Sequence, residues 1–155
     1  MSKNIKNPIL FISEDKDWIS YINYSTSLYR PIKDQVLNFD HLIKSYSPII
    51  DKLIELGKVT INTPSDMESI IHKLIIQSKS LDGDPSDNIK GFKGIGPKSK
   101  PSILINLNSV PTYYDYVGKT KAEKLLQSEI DRFINNTKVL GYEHIDGIDI
   151  MDSIS

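Results

Sequence analysis

From Pro8 to Ile12 the chain is apolar without interruption, and it turns polar and charged at Ser13-Glu14-Asp15-Lys16-Asp17. Continuous rather than alternating hydrophobicity predicts a strand covered on both faces, as in a parallel sheet flanked by helices. Asp15 to Asn23 reads as a short helix with Trp18, Ile19 and Ile22 on one stripe. Leu28 to Ile32 and Gln35 to Phe39 read as two short strands joined through Lys33-Asp34, with Pro31 confining the first to a sheet edge. Asp40 to Gly57 has a helical apolar stripe (Leu42, Ile43, Tyr46, Ile49, Ile50, Leu53, Ile54, Leu56), which Pro48 should kink or split and Gly57 should stop. Lys58 to Asn62 reads as one more strand.

The strongest local signal follows. Thr63 is placed to cap a helix, Pro64 suits its first position, and Asp66 and Glu68 occupy the first turn. Met67, Ile70, Ile71, Leu74, Ile75 and Leu81 then recur at helical spacing and deliver the chain to Asp82-Gly83-Asp84. Beyond a Gly/Pro/Lys-rich stretch, 85–101, come an apolar segment (Ile103, Leu104, Ile105, Leu107) and a tyrosine cluster (Tyr113, Tyr114, Tyr116). A long helix is expected from about Lys119 to Leu140, and a loosely ordered tail from Gly141. The pattern predicts an α/β protein, predominantly helical, with few strands.

Composition narrows the chemistry. At 155 residues and 17.6 kDa the chain can bury a core without disulfides or metals. Nineteen Lys and Arg against twenty Asp and Glu give a net charge of −1, which excludes a generally basic mode of nucleic-acid binding but leaves room for a local patch. With no cysteine there are no thiol nucleophiles and no zinc–thiolate sites, and three scattered histidines (His41, His72, His144) build no imidazole site. Any metal must be held by oxygen. No apolar run is long enough for a signal peptide or a membrane span, which suggests a cytoplasmic protein.

Two acidic pairs are candidates for such a site. Asp15 and Asp17 follow the end of the first strand, where open α/β sheets gather ligands, and Asp84 and Asp87 flank Pro85-Ser86 at a turn into a helix. Four carboxylates suit Mg²⁺ or Mn²⁺. The same residues also make good helix caps, since Asp84-Pro85-Ser86-Asp87 has an N-cap, a proline and an acid in the right order. Residues 88–100 carry Lys90, Lys93, Lys98 and Lys100 and no acid, around Gly91, Gly94 and Gly96. Glycines of this kind let a backbone approach a phosphate, and the lysines would add sequence-independent attraction to a DNA backbone. A solvated loop is the plainer reading, although Ile89, Phe92 and Ile95, at intervals of three, suggest a turn pinned into a core.

Ile12 to Trp18, followed downstream by Gly83-Asp84-Pro85-Ser86-Asp87-Asn88-Ile89-Lys90-Gly91-Phe92-Lys93-Gly94-Ile95-Gly96-Pro97-Lys98, resembles the 5′→3′ exonuclease and flap endonuclease family, in its bacterial and phage branch. The resemblance implies the C-terminal part of a PIN-like 5′-nuclease fold. Residues 1–62 would be a remnant of the nuclease core, with a helical insertion at 40–57, and residues 63–155 a helix-three-turn-helix region. It implies that Asp15, Asp17, Asp84 and Asp87 hold a divalent metal. Lys90, Gly91, Lys93, Gly94, Gly96, Lys98, Ser99 and Lys100 would grip DNA, with K⁺ held at the hairpin by backbone carbonyls. The implied partners are duplex or branched DNA with a 5′ flap, nick or RNA–DNA end, and a separate N-terminal nuclease half carrying the first metal site. The implied location is the cytoplasm, that of the host for a phage-encoded chain. Two departures stand out: Glu14 in the first motif, and Pro101, which is expected to remove an early hydrogen bond from the helix after the hairpin. The alternative is a structure-specific DNA-binding module without catalysis.

Overall fold

A computed structural model of the protein describes residues 9–12, 22–85 and 88–141. Three strands form one sheet in the order β1 (Ile9–Ile12), β2 (Thr26–Arg30), β3 (Gln35–Leu37). β1 runs parallel to β2, with Phe11 beside Leu28, and β3 returns antiparallel, with Leu37 beside Leu28. β2 is therefore central, not an edge strand as Pro31 suggested. It stops at Arg30, so Pro31 falls outside the ladder, in a turn that Asp34 closes with φ 47° and a hydrogen bond from its N–H to the Pro31 carbonyl.

The sheet packs through one face only among the described residues. β2 alternates, with Thr26, Leu28 and Arg30 buried and Ser27 and Tyr29 half-buried on the other side. On that other side of β1, Leu10 is 54% exposed and Ile12 67% exposed. The expectation that this strand is covered on both faces fails for these residues.

Helix α1 (Phe39–Glu55) begins at a reciprocal cap: the Asn38 side chain accepts from the His41 N–H, and His41 Nδ1 accepts from the Asn38 N–H. Pro48 does not split it. The helix continues through the proline, which can give no N–H to the carbonyl one turn earlier, and Ile49, Ile50 and Leu53 beyond it are buried, whereas Ile54 and Leu56, expected on the same stripe, are exposed. Helix α2 (Pro64–Asp82) starts as its sequence predicts, with Thr63 and Asp66 in a capping box and Pro64 in the first turn. No strand forms over residues 58–62. The Asn62 N–H, which a ladder would need, donates to the Asp66 carboxylate, and Val59 and Ile61 pack half-buried against the core as irregular chain.

Helix α3 (Lys100–Leu107) follows the hairpin. Pro101 lies in its first turn, where the lost N–H has no helical partner to serve, so the expected loss of a hydrogen bond does not arise. A 3₁₀ turn at Tyr113–Asp115 leads to α4 (Lys121–Ser128), and a further helix, α5, spans residues 130–141. One long helix was expected here. It is interrupted at Glu129, which leaves helical geometry at φ −116°, ψ 32° although no glycine or proline is near; its carboxylate pairs with Arg132 instead. α1, α2 and α3 pack on one another, and one apolar cluster runs from Ile22 and Leu28 through Leu53, Ile71 and Leu74 to Leu126 and Phe133. The expected helix at 15–23 lies, but for its last two residues, outside the described residues, as does the tail from 142.

Candidate nucleic-acid interface and metal-ligating turn

The end of α2 and the loop after it cross at backbone contact. Gly83 has φ 86°, and a Cβ built there would lie 2.5 Å from the Gly91 nitrogen. One built on Gly91 would lie 2.3 Å from the Asp82 carbonyl oxygen. These two glycines are thus demanded by the chain's passage over itself. The crossing is sealed by hydrogen bonds in both directions between Asp84 and Ile89 (2.8 and 2.9 Å) and from the Phe92 N–H to the Leu81 carbonyl (2.9 Å). Ile89 and Phe92 are buried and Ile95 packs against the core. The segment is a pinned turn, not a solvated loop.

Asp84 sits inside this turn, 8% exposed. Asp15, Asp17 and Asp87 lie outside the described residues, and among those described no three His, Asp or Glu side chains gather as a metal cage. The structure therefore positions one of the four expected ligands, as a buried, oxygen-only donor of the type that hard cations take.

The hairpin's far side is charged and open. Lys90, Lys93 and Lys98 are exposed and their ammonium groups make no ion pair among the described residues. Lys100 differs: its Nζ donates to Asp82 Oδ2 at 2.7 Å. Gly94, at φ 85°, rests against Ala122 of α4, while a Cβ on Gly96 would meet nothing within 4 Å. Ser99 precedes α3 without a side-chain capping bond. Exposed Lys119 and Lys121 flank Ala122's first turn of α4.

Residues that sequence reading did not single out hold the hairpin from behind. Arg132 of α5 donates through Nη1 to the carbonyls of Lys90 (2.6 Å) and Gly91 (3.2 Å), and its guanidinium carbon lies 3.9 Å from the centre of the Phe92 ring. Asn136 Nδ2 donates to the carbonyls of Ser80 (3.1 Å) and Lys90 (3.2 Å). Asn136 had a sequence signal, since it falls on the stripe of Phe133 and Leu140, where a polar residue needs a buried partner. Arg132 had none. Two clefts of about 370 Å³ each share Lys73 and Tyr113 and contain no predicted site residue.

No family model matches the chain. Among curated proteins, a 5′-3′ exonuclease of Mycoplasma pneumoniae is 28% identical over 121 residues, 77% of this chain and 36% of that protein. DNA polymerase I of Caldicellulosiruptor bescii is 32% identical over 88 residues, 57% of this chain and 10% of the polymerase. Among solved structures, the T5 D15 protein co-crystallised with metal ions superposes with a TM-score of 0.63 at 22% identity, covering 98% of this chain and 53% of that one. The bacteriophage T5 D15 flap endonuclease in complex with DNA and metal ions gives 0.62 at 21%, covering 94% and 47%. The chain thus spans about a third of the curated exonuclease and about half of the solved chains. The chain is similar in sequence to 5′-3′ exonucleases and shares the fold of the T5 structures. No described helix is long and apolar enough to cross a membrane.

Proposed function

We propose that this chain is the duplex-gripping part of a metal-dependent 5′→3′ exonuclease or flap endonuclease. Residues 1–62 would contribute a piece of the nuclease core and residues 63–155 the DNA grip. The observation that carries this reading is the pinned hairpin, which presents Lys90, Lys93 and Lys98 unpaired to solvent while its other end fixes Asp84. Lysines so placed contact phosphates and not base edges, which suits recognition of DNA ends by shape.

In this reading Asp84, with Asp15, Asp17 and Asp87, holds Mg²⁺ or Mn²⁺. When bound, such ions polarise the scissile phosphate and activate the attacking water. The protein's own part is to hold the Asp84 carboxylate in a desolvated turn and the duplex at a fixed distance from it. A K⁺ at the hairpin would draw on carbonyls beyond Gly91, because those of Lys90 and Gly91 are engaged by Arg132 and Asn136.

The test is duplex binding, with a 5′-flap oligonucleotide in Mg²⁺, across a salt series. Log affinity should fall linearly with log salt, by about 0.9 per phosphate contact. Absence of salt-dependent binding would sink the reading. A second reading, a DNA-binding module that does not cut, needs only the hairpin and its lysines and leaves Asp84 a structural role. Cleavage assays on the chain alone, and with a polypeptide carrying the other half of the fold, separate the two. Asp84→Asn should abolish Mg²⁺ binding measured by calorimetry; unchanged binding would return Asp84 to a structural role.

A further inference from the structure

The peptide joining Gly91 to Phe92 is held at both ends. Its carbonyl accepts from Arg132 Nη1, and its N–H donates to the Leu81 carbonyl. In a planar trans peptide these two groups point in opposite directions, so both bonds together fix the plane's rotation. The preceding carbonyl, that of Lys90, accepts from both Arg132 and Asn136. The remaining face of the guanidinium fork, Nε and Nη2, meets the Glu129 carboxylate at 3.4 and 3.3 Å, and its flat side covers Phe92. A rigid planar fork can meet two carbonyls, a carboxylate and a ring at once; an ammonium cannot. The two peptides so held run from the Lys90 Cα to the Phe92 Cα, so they set how the chain leaves Lys90 and from where it enters Lys93, the next residue.

We propose that Arg132, oriented by Glu129, is a positioning residue for the DNA-binding hairpin, setting the spacing of Lys90 and Lys93 against Lys98. This inference rests on the reading of the hairpin as a duplex grip. The charges of Arg132 and Glu129 offset each other, so the pair acts on DNA through geometry and not through added field.

Two variants of the full chain, each measured by duplex binding across a salt series, separate geometry from charge. Arg132→Lys keeps the charge and loses the fork. Affinity should fall about tenfold, equivalent to about 1.4 kcal/mol, as lysine–phosphate contacts go out of register. The slope of log affinity against log salt should also shrink, by about 0.9 for each phosphate contact put out of register. Glu129→Gln removes a negative charge beside a DNA surface, so electrostatics alone predicts tighter binding; a positioning role predicts weaker binding. Both losses are required. Tighter or unchanged binding by the Gln variant, or an unchanged slope in the Lys variant, which is what simple destabilisation would give, overturns the inference and leaves the duplex-grip reading standing. If the unmodified chain shows no salt-dependent duplex binding, the reading falls and the inference with it.

Discussion

The four hairpin lysines look alike in the sequence, and their surroundings separate them. Lys98→Ala should weaken duplex binding about equally for all sequences and flatten the salt slope by about 0.9. Lys100→Ala should do less to the slope, because its ammonium already meets Asp82 at 2.7 Å. Tyr116 gives a second test. Its hydroxyl is buried with no hydrogen-bond partner among the described residues, and desolvation, with the Glu123 carboxylate adding to it, raises its pKa above the ordinary 10.0. The folded state therefore keeps this proton longer than the unfolded chain does. The stabilisation is complete below pH 10.0 and drains away as the pH rises beyond it. Tyr116→Phe should match or exceed the native stability by about 1 kcal/mol in urea melts and lose less above pH 10.0. At this scale the sequence offered the candidates but not their supports: Asp84 and the lysines stand out by type and spacing, whereas Arg132 reads as one more solvated helix residue until α5 carries it back onto the hairpin.

Elements followed the sequence where cap and breaker residues mark the boundary and departed from it where none does. α2 was legible to its first residue because cap, proline and acid are all local. Thr63→Ala should cost about 1 kcal/mol in a urea titration. Asp66 adds a pH dependence, since N–H groups, that of Asn62 foremost, hold its carboxyl below 3.8. Its contribution is present above that value and vanishes as the pH falls through the lower folded value, so acid melts should lose stability there and an Asp66→Asn variant should not show that step. The break at Glu129 was not legible, because no glycine or proline marks it, and neither was the irregular chain at 58–62, where the Asn62 N–H goes to the Asp66 carboxylate. The glycine crossing was visible only as composition. Gly91→Ala, forcing a Cβ onto the Asp82 carbonyl, should cost about 3 kcal/mol and abolish duplex binding.

For the whole molecule, the mixed fold and its helical bias were readable from periodicity, and the sheet's one-sidedness among the described residues was not. A continuous apolar run such as residues 9–12 cannot report whether its second face has a cover. Ile12→Ser should therefore shift the urea midpoint by less than about 0.5 kcal/mol equivalent, whereas Leu28→Ala on the packed face should cost about 3 kcal/mol. The crossing of Gly83 and Gly91 has a mechanical meaning at this scale. Backbone lies on backbone there, with no side chain between to compress and both neighbouring peptides tied, so the joint transmits displacement without slack. A duplex bound as proposed would tilt the Asp84 turn whenever it tilts the hairpin, which makes the lysine-bearing surface and the carboxylate two arms of one stiff lever.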